Sequence, residues 1–195
     1  MRIHDDRYNR DQRRFEVALR FIRHEARTHT IRVWTGLTDD RIRKLYRNYI
    51  FDVGGTRPVR HRGKSPQQPA FFTRSTRARQ ESAVLASIFC LTGTLPRPAA
   101  PEAARSLATP ARGELLCQAY ESYRSEFSSP QFSFEHAVFL LAALWRADEL
   151  ILGACRDCSA VLVADRWSLR APRCSVCAPH MPARSTLAAR YAAAA

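Results

Sequence analysis

The sequence predicts a mainly α-helical protein: a helical bundle with a helix-turn-helix-like N-terminal part and a small C-terminal module built on four cysteines. Three observations carry this. Apolar residues recur at three- and four-residue spacing in several separate segments between Phe15 and about Leu152. Positive charge is concentrated early: residues 1–79 hold 20 of the 31 Lys and Arg against 8 of the 18 Asp and Glu, a net of +12, which leaves +1 for the remainder. Cys155, Cys158, Cys174 and Cys177 form two C-x2-C pairs separated by fifteen residues. At 195 residues and 46% apolar, the chain can bury a core as one ordinary domain plus an accessory module. The expected organisation is a helical domain over 1–153, a four-cysteine module over 154–182 and a tail over 183–195.

Taken in order, residues 1–12 are polar and are expected to fray. From Phe15, the positions Phe15, Ala18, Leu19, Phe21, Ile22 and Ala26 keep helical spacing. A second helix from about Ile31 is either separate or continuous with the first. Gly36 interrupts, and Thr38 or Asp39 can cap a new helix, with Asp39 and Asp40 at its positive end. Ile42, Leu45, Tyr46 and Tyr49 make its apolar stripe, and Arg41, Arg43, Lys44 and Arg47 lie off it. Helix, glycine turn and short basic helix is the outline of a helix-turn-helix, and equally of a plain two-helix corner with solvated arginines. Residues 52–70 are a basic loop rich in Gly and Pro, either tracking a phosphate backbone or acting as a linker. A helix is expected over Ser75–Leu91, with Val84, Leu85, Ile88 and Phe89 inward. Another should span Arg112–Phe127, with Leu115, Leu116, Ala119, Tyr120 and Tyr123 inside. Ser133 then caps a long apolar helix over Phe134–Leu152, which needs a cover from its own chain or a partner. Cys90 and Cys117 read as buried thiols.

Each C-x2-C can turn two sulfurs towards one point, and fifteen residues suffice for a hairpin that joins the pairs. Four thiolates in a tetrahedral cage are the standard environment of one structural zinc ion, with no open position for water or substrate. His180 could substitute for one ligand. Trp167 between the pairs either packs on the hairpin or stacks on a base. Arg166, Arg170 and Arg173, also between the pairs, are candidate phosphate contacts together with Arg41, Arg43, Lys44 and Arg47. Only Lys44 and Lys64 are lysines, and guanidinium forks suit phosphate, so nucleic acid is the leading polyanion.

The charged N-terminal stretch has no apolar signal region, and no apolar run approaches the ~18 residues of a membrane span. A cytoplasmic protein with reduced cysteines and no membrane partner is therefore expected. The sequence contains neither a G-x-S-x-G nucleophile motif nor a G-x-x-x-x-G-K-[ST] phosphate loop. Glu135-His136 lacks the His-x-Glu and Pro-Cys-x-x-Cys of the zinc deaminases. No enzyme is expected.

The stretch DRIRKLYRNY (40–49), FFTRSTRARQESAVLASIFC (71–90), the later apolar helix and the paired cysteines together resemble the FlhC family. That family is the C subunit of the bacterial flagellar master transcriptional activator. The similarity runs over roughly residues 15–180, and Ser87–Cys90 (SIFC) with the late cysteines is its most specific part. The resemblance implies a mostly helical fold and one zinc ion on Cys155, Cys158, Cys174 and Cys177. It also implies a hetero-oligomer with a D-type partner (an FlhD-like subunit), binding promoter DNA beside RNA polymerase. The basic arm and the Arg57–Lys64 loop exceed the family pattern, which suggests a divergent member. A zinc-ribbon protein associated with RNA or the ribosome is the alternative class, and a structural adaptor that binds no nucleic acid is a third.

Overall fold

The structure, a computed structural model, describes residues 3–48, 58–61, 63, 65–95, 106–169 and 171–178. Among these it is mainly helical: α1 (Ile3–Arg23), α2 (Thr28–Thr35), α3 (Asp39–Asn48), α4 (Thr76–Leu91), α5 (Pro110–Glu126) and α6 (Phe134–Arg146), followed by a β1 (Leu150–Ala154), β2 (Val161–Asp165) hairpin. A short 3-10 turn, Pro69–Phe72, precedes α4.

The helix boundaries follow local chemistry. Ser75 accepts from the Ala78 N–H at the start of α4, and Thr109 does the same for Arg112 at α5, where Pro110 fills the first turn without wasting a donor. Ser133 and His136 form a reciprocal capping box at α6. At Gly36 the backbone turns left-handed (φ +70°), and its N–H closes α2 on the Arg32 carbonyl. Thr38 Oγ1 then accepts from the Arg41 N–H at 3.4 Å to open α3.

Two expectations about helix extent need correction. Of the twelve residues expected to fray, 3–12 are helical: α1 begins at Ile3. Gly and Pro are absent from this stretch, and i to i+3 and i+4 pairs such as Asp11–Arg14 and Gln12–Glu16 extend the helix outward. At the other end, the apolar helix does not reach Leu152. It stops at Arg146, where Ala147 turns left-handed (φ 52°), and Leu150–Ala154 continue as strand β1. The apolar run is unbroken because a helix and a strand, both half-buried, share it; periodicity alone does not separate them.

The core lies where α1, α2, α4, α5 and α6 meet. Phe21, Trp34, Phe72, Phe89, Tyr123, Phe132 and Phe134 are buried, with edge and stacked contacts such as Phe21 to Phe134 at 4.8 Å. On α4, Leu85 and Phe89 are fully buried and Val84 and Ile88 half-buried; on α5, Leu116, Ala119, Tyr120 and Tyr123 are buried and Leu115 half-buried. α1 and α5 run parallel, tied by Arg13–Glu114 (3.0 Å) and Arg20–Glu121 (2.8 Å), one rung every seven residues on each helix. They approach closely because α5 carries Gly113: a Cβ there would stand 3.0 Å from Val17 Cγ1.

Two buried carboxylates join elements distant in sequence. Fully buried Glu81 on α4 accepts from Tyr123 Oη, from the Gln131 N–H (2.8 Å) and from Arg77 Nε (2.8 Å). Burial alone would raise its pKa; the hydrogen bonds from Tyr123, Gln131 and Arg77 outweigh that and hold it below the usual carboxylate range. Glu135 on α6 accepts from the Arg27 N–H (2.8 Å), Thr30 Oγ1 (3.0 Å) and Ser65 Oγ (2.7 Å). It thereby fixes α2 and Ser65, within the basic loop, to the start of α6.

No helix among the described residues is long and apolar enough to cross a membrane. Cys117 is buried, but Cys90 is exposed: it falls on the outer side of the last turn of α4, beside exposed Leu91.

Candidate metal centre and basic surfaces

The hairpin places the first cysteine pair in its own turn. β1 and β2 pair antiparallel from Leu150–Asp165 to Ala154–Val161, which leaves residues 155–160 as the connection. The Cys155 N–H donates to the Ala160 carbonyl (2.8 Å), the Ser159 N–H to the Cys155 carbonyl (2.8 Å), and Ser159 takes a positive φ of 60°. The chain then leaves β2 and folds back over this turn. The Arg156 N–H donates to the Pro172 carbonyl at 3.1 Å, bringing Cys174 and Cys177 against the first pair.

All four Sγ atoms lie within 4.8 Å of one another, and Cys158 Sγ is 3.7 Å from Cys174 Sγ. A tetrahedral thiolate site with metal–sulfur bonds of about 2.3 Å needs sulfur separations of about 3.8 Å, so a small contraction closes the cage around one metal ion. The donor environment also suits thiolates. Cys155 Sγ accepts from the Cys174 N–H (3.3 Å), and Cys174 Sγ from the Cys177 N–H (3.3 Å). These amides, first that of Cys174 and then those of Asp157 and Cys158, lower the Cys155 pKa to about 6; the amide of Cys177 lowers that of Cys174. Cys177 is pushed up to about 12, chiefly by its contact with Cys174 and then by that with Cys158. Four sulfurs packed without a cation cannot all ionise; a bound cation removes that conflict. These four cysteines can therefore hold one metal ion, and four sulfur donors leave it no open coordination position. His180, the possible substitute ligand, lies outside the described residues.

The basic residues singled out in the sequence divide into two groups. Arg41, Arg43, Lys44 and Arg47 are all exposed on α3, while Ile42 and Leu45 on its opposite side are buried. Tyr46 is half-buried, and Tyr49 lies outside the described residues. Arg43 pairs with Asp40 (2.9 Å), and Arg41 lies 5.8 Å from the Phe15 ring centre, so both stay at the surface. Near the metal site, Arg166 and Arg173 already have internal work. Arg166 Nη1 donates to the Ala147 carbonyl, across the helix-to-strand junction. Arg173 Nε pairs with Asp157 at 3.1 Å, linking the two cysteine loops. Arg170 lies outside the described residues. Trp167 does not pack on the hairpin: it is 74% exposed, and the Arg166 guanidinium lies 5.8 Å from its ring centre.

Sequence reasoning missed Arg79, which faces the four-cysteine hairpin from α4, and the two carboxylate nodes. Arg79 looks like any helix-surface arginine. Apart from Arg77, the partners of Glu81 and Glu135 lie 42 or more residues away, so no local pattern announces them. No family model matches the chain, and no curated protein matches it either.

Proposed function

We propose that this chain is a DNA-binding subunit of a transcriptional activator, of the FlhC kind, stabilised by one structural zinc ion. One observation carries the reading most. α3 follows a glycine turn from α2, buries Ile42 and Leu45, and turns Arg41, Arg43, Lys44 and Arg47 to solvent. A short amphipathic helix so oriented suits a helix-turn-helix reader, with guanidinium and ammonium groups available for phosphate or base edges. The concentration of net charge in residues 1–79 supplies a field that draws DNA to that end. An all-sulfur donor set favours zinc, whose role here is to fold a hairpin with few apolar residues of its own. In this reading the protein is cytoplasmic, acts with an FlhD-like D-type subunit beside RNA polymerase at flagellar promoters, and catalyses nothing.

The test is fluorescence anisotropy of the zinc-loaded protein with a flagellar promoter duplex, a scrambled duplex and a structured RNA, across a salt series, with and without a D-type partner. Duplex selectivity that sharpens with the partner supports the reading. Replacing Arg41, Lys44 and Arg47 with Ala reduces the slope of log affinity against log salt by roughly one for each phosphate that is no longer neutralised. An unchanged slope moves the DNA-binding surface off α3. Preference for RNA instead transfers the assignment to the ribosome- or RNA-associated alternative, which the exposed Trp167 ring favours.

A further inference from the structure

A cleft of about 840 Å3 opens between α4 and the metal-bearing hairpin. Its walls include Arg79 and Gln80 from α4, Ile151 and Leu162 from the two strands, and Pro172 and Arg173 next to Cys174. Arg156 and Arg166 complete a lining of four arginines against the single carboxylate of Asp165. Arg156, Arg166 and Arg173 are held in place by Asp157 and the Ala147 carbonyl. The Arg79 guanidinium has no hydrogen-bond or ion-pair partner among the described residues.

Charge alone would suit a phosphate backbone, but the cleft is not lined or bordered by charge alone. Ile151, Leu162, Pro172 and Ala83 give it an apolar floor. Trp167 and Leu169 stand on either side of the lining residue Ser168, and Val176 follows the lining residue Ser175. They are 74%, 103% and 86% exposed. Large apolar side chains left out at one end of a protein mark a surface that is covered in the working assembly. A sugar-phosphate backbone offers nothing apolar to cover them. A polypeptide with both carboxylates and apolar side chains satisfies the two features together, and Trp and Arg are the residue types that dominate protein–protein contacts.

We propose that this cleft docks an acidic, apolar-anchored polypeptide segment of a partner protein. Its carboxylates meet Arg79, and its apolar residues cover Leu169, Trp167 and Val176; Arg156, Arg166 and Arg173, engaged by Asp157 and the Ala147 carbonyl, contribute only the positive field of the wall. Nucleic acid then binds at α3, and the partner protein at the cysteine module. Because Arg156 and Arg173 adjoin Cys155 and Cys174, one wall of the cleft is set by the metal-bound loops, and metal loading controls docking.

The test uses full-length, metal-loaded protein and a short fluorescein-labelled peptide that alternates Asp or Glu with Leu or Phe. Comparison peptides replace the acids by Asn and Gln, or the apolar residues by Ser, and a random-sequence duplex serves as competitor. The parent peptide should bind, both comparison peptides should bind more weakly, and the duplex should not displace it. Arg79→Ala and Leu169→Ser should each weaken binding by about fivefold or more, as expected for interface anchors. Arg79 sits on α4, outside the ligand loops, so its variant keeps its metal and isolates the cleft. Absence of peptide binding, or wild-type affinity in both variants, overturns the proposal. So does displacement by duplex whose own binding is weakened by Arg79→Ala, which would make the cleft a nucleic-acid surface.

Discussion

The helical body and the four-cysteine hairpin are held together by different physics. The body buries an almost continuous set of aromatic and aliphatic side chains, from Val17 on α1 to Leu144 on α6, which Leu150 and Val163 of the hairpin join at its edge, and satisfies its buried carboxylates with several donors each. The hairpin module buries little beyond Leu150, Cys155, Leu162 and Val163, and leaves Trp167, Leu169 and Val176 in solvent. Burial of apolar surface is a distributed, redundant source of stability, in which no single contact decides whether the fold exists. A four-sulfur cage is concentrated and all-or-none: with one ion in it, most of the module's folding free energy would reside in that ion. Two strands alone are at best marginally stable in water.

The strongest way to break this comparison is to remove the metal. Structural zinc contributes on the order of 10 kcal/mol in small zinc-folded peptides, so Cys174→Ser or chelation should unfold the module and leave the body helical. Elemental analysis should find the single metal equivalent gone. Amide exchange should lose protection over residues 150–165 while α4, α5 and α6 keep theirs. Normal metal content in Cys174→Ser would refute the four-cysteine site, and melting of the whole protein would refute the division.

The reverse experiment attacks the body. Glu81→Ala leaves Tyr123 Oη, the Gln131 N–H and the Arg77 guanidinium without their common acceptor. Removing one member of a buried charged network costs about 3–5 kcal/mol, so the denaturant midpoint should fall sharply while metal stoichiometry stays at wild type. A loss of metal in this variant would show that the regions are one cooperative unit.

The smallest expected effect is a pH dependence of the body. Burial is the main cause that lowers the pKa of His24 from 6.5, against the opposing bond to Glu121; burial likewise lowers that of His136. Below about pH 6.5 the unfolded chain takes up protons that these folded histidines refuse, so stability falls as pH drops from that point towards their folded values. The carboxylates Glu81 and Glu121, also lowered from 4.5, add to this only at more acid pH. His24→Gln should flatten the decline between about pH 6.5 and 5.5, read from urea midpoints. An unchanged slope would locate the acid sensitivity elsewhere.

The same division explains what was legible in the sequence. The cysteine cage could be read directly, because ligand spacing is a local pattern with a geometric meaning. The starts of α3 and α6 could be read as well, since Thr38 and Ser133 announce themselves as caps. The end of α6 could not: Ala147 adopts a left-handed conformation without being glycine, and the apolar run passes straight into β1. Nor could the exposure of Cys90, which depends on the side of α4 that the hairpin and α5 leave open. Arg166 and Arg173 looked available for phosphate because their partners, the Ala147 carbonyl and Asp157, meet them only once the chain has folded back.

The parallel seam between α1 and α5 has a consequence in time. Arg13 meets Glu114 and Arg20 meets Glu121, each pair separated by 101 positions along the chain. α1 is made first, yet Gly113 on α5 and Phe134 on α6, against which Val17 and Phe21 pack, are made last among the helices. At about 5–20 residues per second, translation leaves the part of α1's apolar face that α5 and α6 cover exposed for roughly 5–20 s. The most basic part of the molecule thus emerges from the ribosome before the surface that will hold it exists.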